Sequence, residues 1–464
     1  MRADLLAEPV DGLDEALEAV EAFDRALVAG LLRPQTAGTA GPTRLADAVT
    51  GTPLAARVAE AAAKASAGAA DEDHFVALAA ARTALLGSVH DALLTLVEDA
   101  AGRERGAAEP APVAAAPPAV NLLNAARAWL SEPARSGWQG LDHDVVSGAA
   151  ELVSAMLPDP SLRRLAALLD GFAAELAASC PGASAERFPV RRWADLWSRG
   201  MLLTVPGAAA TPATGTADGR LLPLGIDLQE HATAAQAQVH AVFEPADGSP
   251  SRLVRAGVSV TKPDTVVGAG IWQLLRPHMS LLAAAGEGRS MELTGMPVTA
   301  GGDLVWNDEH ARLGEPAEAF ATARVALPTA TAPVTAPLDR HPACIAVPVF
   351  LDGYTARTDD DGVLTFTVAG FDLVVDTDRI PAAGPLTPEA VARSGACIAL
   401  IRWDAGTFTV QPLAVETTVR KKVTSVHAGA WAGGTADKAG VRAEKAATDA
   451  AQVLSERAGR LLRK

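Results

Sequence analysis

Asp308, Glu309 and His310, directly after Asn307, are the densest polar triplet in the chain: two carboxylates and an imidazole, suited to acid–base work or metal ligation. No nucleophile or partner motif accompanies them, so they read as a loop. His240 alternates with Gln238 on the polar side of a period-two stretch and reads as a solvated side chain rather than a catalytic base. His341 and Cys344 have the spacing of a zinc-ligand pair, but no second pair stands near enough in sequence to complete four ligands. Asp359, Asp360 and Asp361 supply oxygens for calcium, yet calcium needs ligands from alternate positions and a closing acid. They read as a charged hairpin tip. Gly268 and Gly270 precede Ile271-Trp272 without the third glycine or the βαβ alternation of a dinucleotide loop. Gly51-Thr52-Pro53 lacks the lysine and spacing that cradle a phosphate. No catalytic residue, cofactor or metal is therefore expected.

Composition bounds the scaffold that would position such groups. At 464 residues, roughly 150 residues per domain suggests about three domains, each able to bury a core unaided. Hydrophobic residues are 49%, largely alanine, and aromatics only 4% with one tyrosine, Tyr354, so the cores should be lined by Ala, Leu and Val. The three cysteines, Cys180, Cys344 and Cys397, are odd in number and widely spaced, which argues against a disulfide framework and for a reducing cytoplasm. Residues Met1 to Val10 lack a signal-peptide profile, and no apolar run reaches the ~18 residues of a membrane span. Net charge is -15, yet from Arg420 onward ten bases face four acids. That asymmetry marks the tail as a contact for an acidic partner or for the acidic remainder of the chain.

Helical spacing dominates the first half. Asp11 looks like an N-cap with Asp14 and Glu15 in the first turn, and Leu13, Leu17, Val20, Leu27 and Leu31 fall near one face. A second helix runs from about Thr43 to Lys64 and a third starts at Asp73, suggesting an antiparallel three-helix unit. Gly106 to Val120, with Pro110, Pro112, Pro117 and Pro118, reads as a semi-rigid linker. Four more helix patterns follow, one capped by Asp159 with Pro160 at its first position. The last, Pro189 to Thr204, carries Val190, Trp193, Trp197 and Met201 on one stripe; the paired tryptophans suit a core or an interface anchor.

The small-residue stretch Val205 to Arg220 then reads as a tether, after which the period becomes two. Ala237 to Phe243 turns at Asp247-Gly248 into Leu253 to Val260, a hairpin with one wet face. A helical interruption spans Thr265 to Leu275, and strands follow near Met291 to Val298 and Asp303 to Trp306. Pro328 to Pro337 marks another boundary. Strands are expected again around Ile345 to Val349, Val363 to Val368, Phe371 to Val375, Ile398 to Trp403 and Phe408, with Pro348 at an edge or bulge. Thr435 to Lys464 reads as a basic terminal helix. The expected class is α+β multidomain: a helical bundle half, antiparallel β modules and a basic C-terminal helix. The boundaries are 1–105 and 119–204 for two helical modules, 220–327 for a mixed β module, 338–432 for an antiparallel β module and 433–464 for the helix.

The segment Arg191-Arg192-Trp193-Ala194-Asp195-Leu196-Trp197-Ser198-Arg199-Gly200-Met201-Leu202-Leu203-Thr204, followed by the tether and β-rich modules, resembles uncharacterised actinobacterial proteins. Those proteins are typically encoded beside MoxR-type AAA+ ATPases and von Willebrand A-domain proteins. The resemblance implies a protein partner of that kind and brings no catalytic residues. Asp247-Gly248-Ser249-Pro250-Ser251 matches the Asp-x-Ser-x-Ser string of an A-domain metal site, but a second strand follows it, so it reads as a hairpin turn.

The leading expectation is a non-enzymatic adaptor docking a partner through Trp193, Trp197, Arg457, Arg460, Arg463 and Lys464. A hydrolase or metal-binding enzyme would have to assemble a site from Asp308, Glu309, His310 and His240. A nucleic-acid binder would use the terminal helix, with affinity falling steeply in salt. The adaptor expectation requires that no three titratable groups gather in one enclosed cleft.

Overall fold

The computed structural model describes residues 1–32, 41–106, 119–208, 215–404, 406–419 and 422–461. Its N-terminal part is helical and its C-terminal part mainly stranded, an α+β multidomain architecture. Most of the 106–120 linker, residues 209–214 of the tether, and Arg463 and Lys464 lie outside the described residues. Among the described residues no helix is long and apolar enough to cross a membrane.

Eight helices build the first half: α1 (Leu13–Ala29), α2 (Gly41–Ala48), α3 (Ala55–Ser66), α4 (Glu72–Ala101), α5 (Val120–Ser136), α6 (His143–Met156), α7 (Arg163–Ala178) and α8 (Val190–Leu203). The helix expected from Thr43 to Lys64 is two, because residues 49–54 turn around Pro53. Gly12, left-handed at φ 76°, precedes α1 in place of an Asp11 cap. At α4, Asp71 accepts from the Asp73 and His74 amides while His74 Nδ1 accepts from the Asp71 amide, a capping box one turn before Phe75 and Leu78 enter the core. Helix α7 starts at Arg163 and not at Pro160; the Asp159 carboxylate is spent on the Ser161 amide and hydroxyl.

The two helical segments share one core. Phe23, Leu27, Phe75, Leu78, Trp129, Trp138, Phe172, Trp193 and Trp197 belong to a single buried cluster. Trp193 and Trp197 are 1% and 0% exposed, so the tryptophan stripe of α8 is interior. Their indole N–H groups donate to Glu175 Oε2 at 3.1 Å and to the Leu130 carbonyl at 2.9 Å. Helix α4, 30 residues long, outruns this core: Val89, Leu93 and Val97 from its second half pack against the second sheet described below.

Strands begin at Gly215, inside the stretch expected as tether. β1 (Gly215–Glu230), β2 (Ala234–Pro245) and β3 (Arg252–Thr261) are followed by short helices α9 (Ile271–Leu275) and α10 (Leu281–Gly286), then β4 (Arg289–Val298), β5 (Asp303–Leu304), β6 (Ala311–Pro316) and α11 (Ala319–Val325). The order β1-β2-β3-β5-β4, with β4 pairing back to β1, closes a small barrel, and β6 is appended to β4. Phe243, Trp272, Met279 and Leu293 fill one core. The hairpin at Asp247-Gly248 stands as expected, Asp247 accepting from the Ser249 amide at 2.9 Å.

The second sheet comprises β7 (Val347–Asp352), β8 (Thr355–Thr358), β9 (Leu364–Val368), β10 (Phe371–Val375), β11 (Ala396–Asp404), β12 (Thr407–Val419) and β13 (Lys422–His427), with α12 (Pro388–Ala392) before β11. Its order is β7-β11-β12-β10-β9-β8, with β13 also on β12. It is not wholly antiparallel, since β10 runs parallel to β12. Pro348 sits in edge strand β7, where a missing N–H does no harm, and its carbonyl accepts from Arg103 Nη1 at 2.6 Å. Asp359 holds the Asp361 and Val363 amides at a hairpin tip, as expected. Helix α13 (Lys438–Leu461) is the terminal helix, tied to α9 by Thr448 Oγ1 to Gln273 Oε1 at 3.1 Å.

Barrel and second sheet pack directly. Leu222, Leu224 and Val242 meet Ile398 and Ala414, with Phe320 of α11 in the same cluster.

Candidate functional site

Where the helical half, the barrel and the second sheet converge, they leave a cleft of about 610 Å³. Helix α4 supplies His90 and Glu98, α8 supplies Arg199, the barrel supplies Asp227, Gln229, Gln236, Gln238, His240, Arg255 and Asp303, and β11 supplies Arg402. The segment 332–348, which runs from the boundary expected at Pro328 to Pro337 into the module expected from 338, closes one side with Thr335, Asp339 and Cys344.

The barrel wall follows from strand geometry. Alternate residues of a strand share a face, so Gln236, Gln238 and His240 of β2 stand together. Register places Gly225 and Arg255 on either side of His240, and Asp303 beside Arg255. A row Gly225, His240, Arg255, Asp303 therefore crosses β1, β2, β3 and β5. Asp227 and Gln229 lie opposite Gln238 and Gln236. This is the face expected to be wet; at Asp227 the second sheet covers it through Arg402 and Gln411 and His240 is buried, while Gln238 stays partly exposed and Gln236 exposed.

His240 is consequently not solvated. It is 3% exposed, and its Nε2 has no hydrogen-bond partner. Burial pushes the imidazole down to about 4, Asp227 and Asp303 drawing it up while Arg255 and Arg402 oppose them, so the ring is neutral near pH 7.

Beside it Asp227, 2% exposed, accepts from Arg402 Nη2 at 2.7 Å, Gln411 Nε2 at 2.8 Å and Gln229 Nε2 at 3.2 Å. Burial alone would raise this carboxyl; Arg402 and the Gln411 amide outweigh it and hold it below its ordinary 3.8. Arg402 also donates to Gln411 Oε1, so barrel and second sheet are joined through a closed ring of three side chains. Arg255 pairs with Asp303, Arg199 with Asp195 at 2.9 Å, Glu98 with Arg103 at 2.8 Å and Asp339 with Arg164 at 3.0 Å. Every charged side chain lining the cleft thus has an opposite charge of its own.

At the mouth, His341 and Cys344 do not act together. His341 Nδ1 accepts the Ala343 amide at 3.1 Å, which puts the ring proton on Nε2, 3.7 Å from Asp195 Oδ1. The Cys344 thiol instead lies 3.6 Å from Arg199 Nη2. Neither nitrogen of His341 is left to take the thiol proton. Among the described residues no three His, Cys, Asp or Glu side chains converge as metal ligands.

The polar triplet lies elsewhere. Asp308 accepts from Ser280 and Trp306, His310 Nδ1 bonds the Thr294 carbonyl, and none of Asp308, Glu309 and His310 lines the cleft. Of the four residues proposed for a composite site only His240 is in place. Asp227, Arg255, Asp303 and Arg402 were missed, although each interrupts an apolar stretch, Arg402 most plainly between Ile401 and Trp403. On α13, Arg457 and Arg460 are exposed.

Comparison of the chain with family models, with curated proteins and with solved structures returned no match.

Proposed function

We propose that the chain is a binding protein for one small polar molecule, seated between the helical half, the barrel and the second sheet. The observation that carries this reading is His240, a neutral buried imidazole in a cleft of about 610 Å³ with Nε2 unmatched. An unmatched buried polar atom costs about 1–3 kcal/mol, and a ligand that bonds to it removes that cost. The volume lies within the range of about 300–1,000 Å³ usual for small-molecule sites, and convergence of modules is where such sites form. The site is assembled from distant residues, but from Asp227, His240, Arg255, Asp303 and Arg402 and not from the Asp308 triplet. Five ionisable groups lining one cleft favour this reading over the adaptor expectation.

Thermal melting of the full chain against a broad set of small polar metabolites tests it. A ligand at 100 times its Kd adds about 2.7 kcal/mol to stability and raises Tm by a few degrees. No shift with any compound, or a shift retained in full by His240→Phe, defeats the reading.

Partner docking on α13 is the second reading, favoured by Arg457, Arg460, Val441 and Val453, all exposed on that helix. The partner class the resemblance nominates is a MoxR-type AAA+ ATPase or an A-domain protein. Charge reversal of Arg457 and Arg460 together with Arg463 and Lys464 should abolish its co-purification; an unchanged pull-down rejects the helix as a docking element. Steep loss of binding with salt to a nucleic acid would redirect it. The three unpaired cysteines, one fully buried as Cys397, accord with a reducing cytoplasm.

A further inference from the structure

The chemistry left open in the cleft narrows the ligand. The polar wall is built from planar side chains with two hydrogen-bonding points each: Asp227, Gln229, Gln236, Gln238, His240 and Arg255. After internal bonding, specific groups remain unmatched. Among the described residues Gln236 and Gln238 make no hydrogen bond through their amides, His240 Nε2 has none, and Arg255 and Arg402 each bond through Nε and Nη2, leaving Nη1 open. The open set therefore mixes donors and acceptors on one face.

Charge does not select an anion. Arg255 and Arg402 are committed to Asp303 and Asp227, and Arg199 to Asp195, so a phosphate or carboxylate ligand would have to compete with a carboxylate already seated. An incoming cation meets carboxylates that are equally engaged. Stacking is also missing: among the described residues no Phe, Tyr or Trp lines the cleft, so a nucleobase or aromatic ligand finds no ring to lie on.

We propose that the ligand is a neutral sugar of one or two rings. A hydroxyl both donates and accepts, and two adjacent hydroxyls present the paired spacing that an amide, a carboxylate or a guanidinium edge can bridge. Such a molecule satisfies the mixed open set without disturbing any ion pair. The proposal rests on the cleft being a small-molecule site, as argued above.

Isothermal titration of the full chain distinguishes the possibilities, with glucose, galactose, sucrose and maltose in one panel and inorganic phosphate, citrate and glutamate in the other. The expected result is heat of binding from at least one neutral sugar, with affinity unchanged by added salt, since no charge is being neutralised. Gln238→Leu should weaken that binding by about tenfold or more, because a half-exposed amide is lost without a change in packing. His240→Phe should do at least as much; where that variant melts early, Gln238→Leu alone decides. Binding confined to the charged panel, or a sugar affinity untouched by Gln238→Leu, overturns the sugar assignment while leaving the small-molecule site standing. Silence from both panels in a chain that also shows no melting shift with the wider metabolite set brings down both.

Discussion

Arg402 Nη2 donates to Asp227 Oδ2 at 2.7 Å, joining β11 of the second sheet to β1 of the barrel across 175 positions of sequence. Both side chains are under a tenth exposed. Removing one partner strands the other as a buried charge, so Asp227→Ala should cost about 3–5 kcal/mol, whereas replacing the pair with Asp227→Leu and Arg402→Met should recover much of that loss. Urea unfolding of the full chain reads both. A single variant as stable as the parent would mean that water reaches the pair.

Acid should weaken the fold over a defined window. Burial holds His240 and His341 at about 4, against an ordinary 6.5 in the unfolded chain. Around His240 stand Asp227, Asp303, Arg255 and Arg402, and around His341 stand Asp195, Arg82, Arg199 and Arg191. Between pH 6.5 and about 4 the unfolded chain binds protons that the native chain refuses. Stability is therefore full above pH 6.5, falls as pH drops through the window, and this contribution levels off below about 4. His240→Gln with His341→Gln should flatten the fall in Tm across that range. An equal slope in parent and double variant assigns the acid sensitivity to other groups.

Gly225 sets how closely barrel and second sheet approach. A Cβ at that position would stand 2.8 Å from Leu413 Cβ and 3.0 Å from its Cδ1. Gly225→Ala should cost about 1–3 kcal/mol through overpacking, and Leu413→Gly in the same chain, which removes both the Cβ and the Cδ1 it would meet, should relieve part of it despite its own loss of volume. Strictly additive losses in a double-mutant cycle would show that the two positions do not press on each other.

Much of this architecture was legible because local rules act alone where they act. Asp71 caps α4, Asp247-Gly248 turns a hairpin and Pro348 lies on an edge strand, each decided by neighbours within a few residues. Period two also identified Gln238 and His240 as one face, but periodicity says which residues share a side and not what covers it. The cover comes from Arg402 and Gln411, 175 and 184 positions from Asp227, and no spacing rule reaches that far. β5 falls inside the strand expected from Asp303 to Trp306, though it is only two residues long, whereas β6 was hard to see because its side chains are mostly exposed. The parallel pairing of β10 with β12 involves only Val374 with Thr409 and Val375 with Val410, too short to leave a pattern.

Trp197 separates a core role from an interface role. Its ring is fully buried, its centroid 6.1 Å from that of Phe23, and its Nε1 donates to the Leu130 carbonyl at 2.9 Å. Trp197→Ala should lower stability by about 3–5 kcal/mol, since the ring and its packing are both lost. Trp197→Phe keeps most of the apolar area but removes the indole's hydrogen bond to the Leu130 carbonyl, which keeps its helical amide donor, and should cost about 0.5–1.5 kcal/mol for that bond. An anchor that met a partner at the surface would behave in the opposite way, leaving Tm unchanged and weakening only the complex. Melting curves of the isolated chain with each substitution therefore suffice, and a Tm for Trp197→Ala equal to the parent's would remove the ring from the core.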